Sequence, residues 1–197
     1  QPLKGKWEGR VSFIHGDNGI GNAELPPSSR KILQENVEDF HMRLAEQYDG
    51  ELVLITLGPL TNVARTLEKY PSFAKKIKKM IMMGGTVNMR GNISPMGEAN
   101  IVGDPEACDA VFLSGMDITA VGLDVTVKVR LKREHLEWVK DCCSPKARKA
   151  VEFLDRALPH YWHGNQVQNY CIGDCPVHDP LAMMYAAVPY IFRTETR

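Results

Sequence analysis

The feature that most restricts the fold of this chain is a pair of short, almost wholly apolar runs, each stopped by glycine. Leu52-Val53-Leu54-Ile55-Thr56-Leu57 is apolar apart from one threonine and ends at Gly58-Pro59, while Lys79-Met80-Ile81-Met82-Met83 ends at Gly84-Gly85. A strand with one wet face alternates polar and apolar residues, whereas a strand covered on both faces reads as a continuous hydrophobic run, as in parallel sheets. Around these runs the spacing turns helical, from Leu60 to Tyr70 and again after Asp104-Pro105-Glu106, where an acceptor at the cap precedes a first-turn proline. A third strand follows at Asp117 to Val121. Strand, helix, strand, helix, strand at these lengths predicts an α/β fold, a mostly parallel sheet flanked by helices. Ligands of such sheets sit beyond the carboxyl ends of strands, which directs attention to the loops after Leu57, Met83 and Leu123.

The flanking segments are expected to complete a single α/β domain over residues 1–197. Arg10 to Ile14 reads as a short strand leading into the polar turn His15-Gly16-Asp17-Asn18-Gly19. Ile32, Leu33, Val37, Phe40, Leu44 and Ala45 recur at helical spacing, predicting a helix from Arg30 to Tyr48 capped by Ser28 or Ser29. Leu131 to Trp162 reads as helical with a break near Ser144-Pro145, and His178 to Ala187 as a last helix before a strand starting near Tyr190.

Charge narrows the partners. With 24 basic and 24 acidic residues the net charge is zero, so the chain lacks the broad positive field that nucleic-acid or anionic-membrane binding requires, and a small neutral ligand is expected. No apolar stretch approaches the roughly 20 residues of a membrane span. The five cysteines include Cys142-Cys143, Cys171 and Cys175, in neither a zinc-ribbon spacing nor a disulfide framework, so a reducing, cytoplasmic setting is expected.

Chemistry concentrates in two places. Gly173-Asp174-Cys175-Pro176-Val177-His178-Asp179-Pro180 sets an imidazole beside a carboxylate where a helix opens. Asp before proline is a common capping arrangement, but a cap needs no histidine, whereas a general acid works best with a pKa near neutrality. Asp179 is then a candidate oxygen ligand for a hard cation or an orienting partner for the ring. In Gly91 to Asn100, the amides of Asn92 and Asn100 and the carboxylate of Glu98 form a set of donors and acceptors suited to vicinal hydroxyls, as ribose recognition demands. After the first apolar run, Thr61 or Asn62 is expected to cap the next helix, and a Leu57 carbonyl left without a ladder partner is a suitable calcium ligand. Asp124 and Thr126 follow a strand and are expected to do structural hydrogen bonding. His160, Tyr161, Trp162 and His163 form an aromatic cluster, read as core or surface, and the lysines at 75, 76, 78 and 79 as a solvated helix end.

Taken in order, these stretches resemble one family, the inosine-uridine type nucleoside hydrolases. The resemblance rests on His15-Gly16-Asp17-Asn18-Gly19, Thr56-Leu57-Gly58-Pro59-Leu60-Thr61-Asn62-Val63-Ala64, Met82-Met83-Gly84-Gly85, Gly91-Asn92 through Glu98-Ala99-Asn100, Asp104-Pro105-Glu106-Ala107, Leu123-Asp124-Val125-Thr126 and Pro176-Val177-His178-Asp179-Pro180. It implies calcium-dependent hydrolysis of the N-glycosidic bond of ribonucleosides, through a transition state with oxocarbenium-like charge on the sugar. By position it implies Asp179 and the Leu57 carbonyl as calcium ligands and Asn92, Glu98 and Asn100 as ribose contacts. It further implies Met83 beneath the sugar, His15 near the base or the primary hydroxyl, His178 assisting departure of the base, and a homo-oligomer, dimer or tetramer.

Two departures accompany the resemblance. The family's Asp-rich loop, of the form Asp-x-Asp-x-Gly-x-Asp-Asp, has no counterpart here, so the chain is expected to be part of a larger domain truncated at both ends and to hydrolyse nucleosides poorly by itself. The aromatic usually found between the acid and the asparagine of the ribose loop is Ala99. The alternative expectation is a noncatalytic ribose or nucleoside binder that has lost the catalytic aspartates.

Overall fold

The structure, a computed structural model, describes residues 1–5, 12–169 and 173–196. In chain order its elements are α1 (Ser12–His15), α2 (Val37–Gln47), β1 (Val53–Thr56), α3 (Thr61–Lys69), α4 (Phe73–Lys76), β2 (Lys79–Met83), α5 (Ala99–Val102) and α6 (Pro105–Phe112). There follow β3 (Ile118–Val121), α7 (Leu123–Thr126), β4 (Arg130–Lys132), α8 (Arg133–Cys142), α9 (Arg148–Asn169), β5 (Asp174–Pro176), α10 (Asp179–Ala187) and a 3-10 turn, Pro189–Ile191. The chain divides into two compact units, the first comprising Gln1–Trp7, Ile32–Lys128 and His178–Arg197, the second Glu8–Lys31 and Val129–Val177.

The first unit is the α/β layer that the apolar runs predict. Its sheet has the order β1-β2-β3 with both pairs parallel, Ile55 opposite Ile81 and Met82 opposite Ala120. β2 is central and buries Met80 to Met83, whereas Val53 on the edge strand β1 is exposed, so the two similar runs have different surroundings. Helix α3 presents Leu60, Val63, Ala64 and Leu67 at i, i+3, i+4 and i+7 to a core that includes Phe73, Met80, Met82, Ala107 and Val111. Asp104 caps α6 as expected, its side chain accepting from the Ala107 amide at 3.1 Å.

Several expectations change. Helix α2 begins at Val37 rather than Arg30, because Asn36 takes the Asp39 amide at 2.9 Å and closes the first turn there; Ile32 and Leu33 are exposed, and Ser28 instead accepts from the Arg30 amide. Neither Thr61 nor Asn62 caps α3, whose cap position is Leu60 with no side-chain bond; the Thr61 hydroxyl donates to Asp104. The segment near Tyr190 is a 3-10 turn, closed by the Ile191 amide on Val188 and the Phe192 amide on Pro189. Pro189 locks its own φ and cannot donate to a ladder, which opposes a strand there. The lysine run is split: Lys75 and Lys76 end α4, whereas Lys79 opens β2 and pairs with Asp117 at 3.7 Å.

The second unit is built on helices α8 and α9 and the antiparallel pair β4-β5. Its core contains Leu136, Val151, Trp162 and Cys175, with Trp162 Nε1 donating to the Leu131 carbonyl at 3.1 Å, so the aromatic cluster contributes to packing. The break near Ser144-Pro145 falls between α8 and α9. Where a strand was expected from Arg10 to Ile14, Ser12–His15 is a helical turn whose Ile14 is buried against α9; Arg10 and Val11 lie outside the described residues, as does Cys171. Cys108, Cys142 and Cys143 are free thiols, and burial pushes the Cys108 thiol up to about 11. No helix among the described residues is long and apolar enough to cross a membrane.

Candidate active site

The site begins where β2 stops. Gly85, at φ +80, turns the chain so that its amide donates to Glu98 Oε2 at 2.9 Å, a backbone conformation that side chains rarely adopt. Glu98 is buried, 2% exposed, and caps α5, accepting from the Asn100 amide at 3.0 Å and the Ile101 amide at 3.2 Å. Asn100 Nδ2 donates to the Met83 carbonyl at 3.0 Å and lies 3.4 Å from its sulfur, tying the loop to the strand end. Asn92 Oδ1 accepts from the Ala99 amide at 2.9 Å.

Half of the hydrogen-bonding capacity of these side chains thus builds the loop. The Asn92 amide nitrogen and the Asn100 amide oxygen carry no bond among the described residues, and Glu98 Oε1 has accepted only one amide. What is left is a donor and two acceptors grouped around a buried methionine, a set that matches neighbouring hydroxyls.

The second half of the site is the start of α10. His178 occupies the cap position with no side-chain cap bond, Asp179 and Pro180 enter the first turn, and the helix packs on β1 and β2. His178 Nδ1 lies 2.8 Å from the hydroxyl of Thr126, which is fully buried. Asp179 accepts no hydrogen bond among the described residues; burial pushes its carboxyl above the usual carboxylate range, and the negative charge of Glu98 pushes it further. The structure therefore brings the hydroxyl-matching loop and the His-Asp step together at the carboxyl end of the parallel sheet, because both are anchored to β2.

The oxygen-donor set fits a hard cation in kind and only partly in number. Among the described residues Asp179 is a carboxylate without a counter-charge, Leu57 leaves β1 at the same sheet end, and the buried Thr56 hydroxyl beside it has no hydrogen-bond partner there. Among the described residues no group of three or more His, Cys, Asp or Glu side chains is placed to hold a metal, against the six to eight oxygens calcium takes. His15 belongs to the second unit, where it stacks on Tyr161 at 6.0 Å; burial and then the neighbouring His160 lower its pKa.

Three buried or half-buried polar residues at the strand ends escaped a sharp sequence reading. Thr56 was visible as the one polar residue in an apolar run, and Asp124 and Thr126 as polar residues directly after a strand. Spacing alone does not reveal that Asp124 and Thr126 reach two different segments 36 to 52 residues away.

Comparison with known proteins identifies the family. Residues 1–197 match the family described as inosine-uridine preferring nucleoside hydrolase. The chain is 38% identical over 192 residues to uridine nucleosidase 1 of Arabidopsis thaliana, covering 98% of this chain and 56% of that protein. It superposes on a purine-preferring ribonucleoside hydrolase from Gardnerella vaginalis with a TM-score of 0.86 at 38% identity, over 93% of this chain and 57% of that one. A plant nucleoside hydrolase gives a TM-score of 0.87 at 35% identity, over 94% and 57%. The chain thus spans little more than half the length of the relatives it matches. With a family match along its whole length, the chain belongs to the inosine-uridine preferring nucleoside hydrolases.

Proposed function

We propose that the protein hydrolyses the N-glycosidic bond of ribonucleosides, releasing free base and ribose. The observation that carries this reading is the shared anchorage on β2: helix α10, which opens at Asp179, packs on that strand, and Asn100 of the loop whose spare donor and acceptors suit ribose donates to the Met83 carbonyl at 3.0 Å. Asn92, Glu98 and Asn100 bind the sugar hydroxyls, and Met83 supplies an apolar floor. As the bond from C1′ to the base nitrogen breaks, positive charge develops on the sugar ring and negative charge on the base. His178 gives a proton to the departing base, and water adds its hydroxide to C1′ while its remaining proton passes to solvent, from which His178 is reprotonated. Interactions that strengthen as charge develops lower the barrier, whereas those equal in ground and transition state do not.

Asp179 and the Leu57 carbonyl would hold a divalent cation, calcium by the all-oxygen character of the donors. When bound, such an ion orients the attacking water and polarises it. His15 remains a contact to the base or primary hydroxyl on the resemblance alone, which also supports a homo-oligomer, while cysteine usage supports a cytoplasmic setting.

Ribose release from uridine and from inosine by the intact protein, with added calcium and after chelation, tests the reading. Release that chelation abolishes is the expected result. Binding of ribonucleosides without any release would make the protein a binder and overturn the hydrolase reading.

A further inference from the structure

The turn at the end of β3 makes more contacts with the site than a connection requires. Asp124 Oδ2 accepts the Val87 amide and Oδ1 the Asn88 amide, both at 2.7 Å. Thr86 Oγ1 lies 3.4 Å from the same carboxylate, but its one proton is already donated to the Met89 carbonyl at 2.9 Å. Burial raises the Asp124 carboxyl, and the two amides outweigh it, so the group is held below the usual carboxylate range. Two residues on, the Thr126 hydroxyl meets His178 Nδ1 at 2.8 Å. The turn is itself seated on the strand end: the Leu123 amide donates to the Gly85 carbonyl at 2.9 Å, and a Cβ on Gly122 would stand 2.9 Å from that oxygen.

We propose that the turn Leu123–Thr126 is the positioning frame of the site, Asp124 setting the loop that carries Asn92, Glu98 and Asn100, and Thr126 setting the imidazole of His178. The geometry gives Thr126 a defined direction of hydrogen bonding. Its hydroxyl has no other hydrogen-bond partner among the described residues, so a proton on Nδ1 would leave the hydroxyl hydrogen buried without an acceptor. The hydroxyl therefore donates to Nδ1, and the neutral ring carries its proton on Nε2. Asp124 acts at the other side of the turn, where two charge-assisted bonds fix the start of a loop that otherwise runs from Thr86 to Gly97 without helix or strand. Neither residue is assigned contact with substrate. Both act through others, and the inference rests on the hydrolase reading only for its consequence in turnover.

The test has two arms that need no activity. Long-range nitrogen NMR of the protein above the titration range of the ring should show the Nε2-protonated tautomer of His178. Thr126→Val should redistribute it and Thr126→Ser should restore it. An unchanged tautomer in Thr126→Val overturns the role of Thr126. Hydrogen exchange at Val87 and Asn88 should accelerate in Asp124→Ala, and less in Asp124→Asn, while Met80 to Met83 keep their protection. Unchanged loop exchange, or loss of protection across the whole sheet, overturns the role of Asp124.

In the intact protein, Thr126→Val should then lower kcat on the order of tenfold to a hundredfold with KM little altered, since small misplacements of a reacting group cost rates of that size. Asp124→Asn should mainly raise KM. Equal loss in both parameters for both variants counts against the frame. A wild-type protein that cleaves no ribonucleoside removes the proposed function, while the NMR and exchange arms still decide the frame.

Discussion

The chain opens two helices with the same dipeptide, Asp104-Pro105 and Asp179-Pro180, and the two carboxylates have opposite fates. Asp104 stands at the cap with φ −162 and accepts from the Ala107 amide, the Thr61 hydroxyl and the Leu3 amide. Burial works against its charge, but these three donors outweigh it and hold its carboxyl below the usual range. Asp179 stands one position later, inside the first turn, with no cap bond, and burial together with Glu98 drives it above that range. A helix N-terminus favours a negative charge. At Asp179 that contribution is overridden, so one group holds the fold together and the other has no partner among the described residues at the strand ends.

The contrast is most easily broken by Asp104→Ala. Loss of a cap, and of the acceptor for the Thr61 hydroxyl and the Leu3 amide, should cost on the order of 3 kcal/mol in urea unfolding. If Asp179→Ala costs as much, the two positions are equivalent and the distinction fails. Next in size, His178→Ala should reduce kcat of the intact protein by about a hundredfold or more, the usual worth of a general acid, without shifting the unfolding midpoint. A lower midpoint with unchanged kcat would place His178 with Asp104 as a structural residue.

Asp179→Asn should weaken calcium binding by roughly tenfold or more in calorimetry, since a charged oxygen ligand becomes neutral. The same substitution should raise stability in chelator at pH 7, because it removes a charge that the folded state disfavours. Direction of the pH dependence sharpens this further. A carboxyl raised in the folded state penalises stability above its folded pKa, and the penalty disappears as pH falls to the ordinary value of about 3.9. A carboxyl lowered in the folded state stabilises above that ordinary value, and its contribution is lost as pH falls through the folded pKa. Titrating downward from pH 7, the advantage of Asp179→Asn should vanish before the penalty of Asp104→Asn begins to shrink. The reverse order would contradict both assignments. The smallest effect is expected at the strand end itself: Thr56→Val removes a buried hydroxyl with no partner among the described residues and should stabilise the fold in chelator by about 0.5–1 kcal/mol.

Much of the fold was readable because it depends on periodicity. The runs 52–57 and 79–83 became β1 and β2, the segment from Leu60 became α3, and Asp104 capped α6. The errors have local causes. Ile32 and Leu33 continue the helical spacing of α2, yet Asn36 offers a better cap and strands them in solvent. Similarly, Ser12 to Ile14 suit a strand by composition, but burial of Ile14 against a long helix holds them in a helical turn. At the site, Asn92, Glu98, Asn100, His178 and Asp179 stood out as polar residues beside apolar runs. Their division into loop-building and spare hydrogen bonds did not, since each amide and carboxylate has several sites and only geometry shows which are used.

The sequence by itself determined the layer architecture and the family, because hydrophobic period and motif order are properties of the chain alone. Which of two identical Asp-Pro steps keeps an uncompensated charge, and which threonine grips the histidine, was decided only by tertiary structure. Burial and hydrogen-bond partners are supplied by residues far along the chain. A carboxylate's energy depends on those neighbours far more than on the residue that follows it.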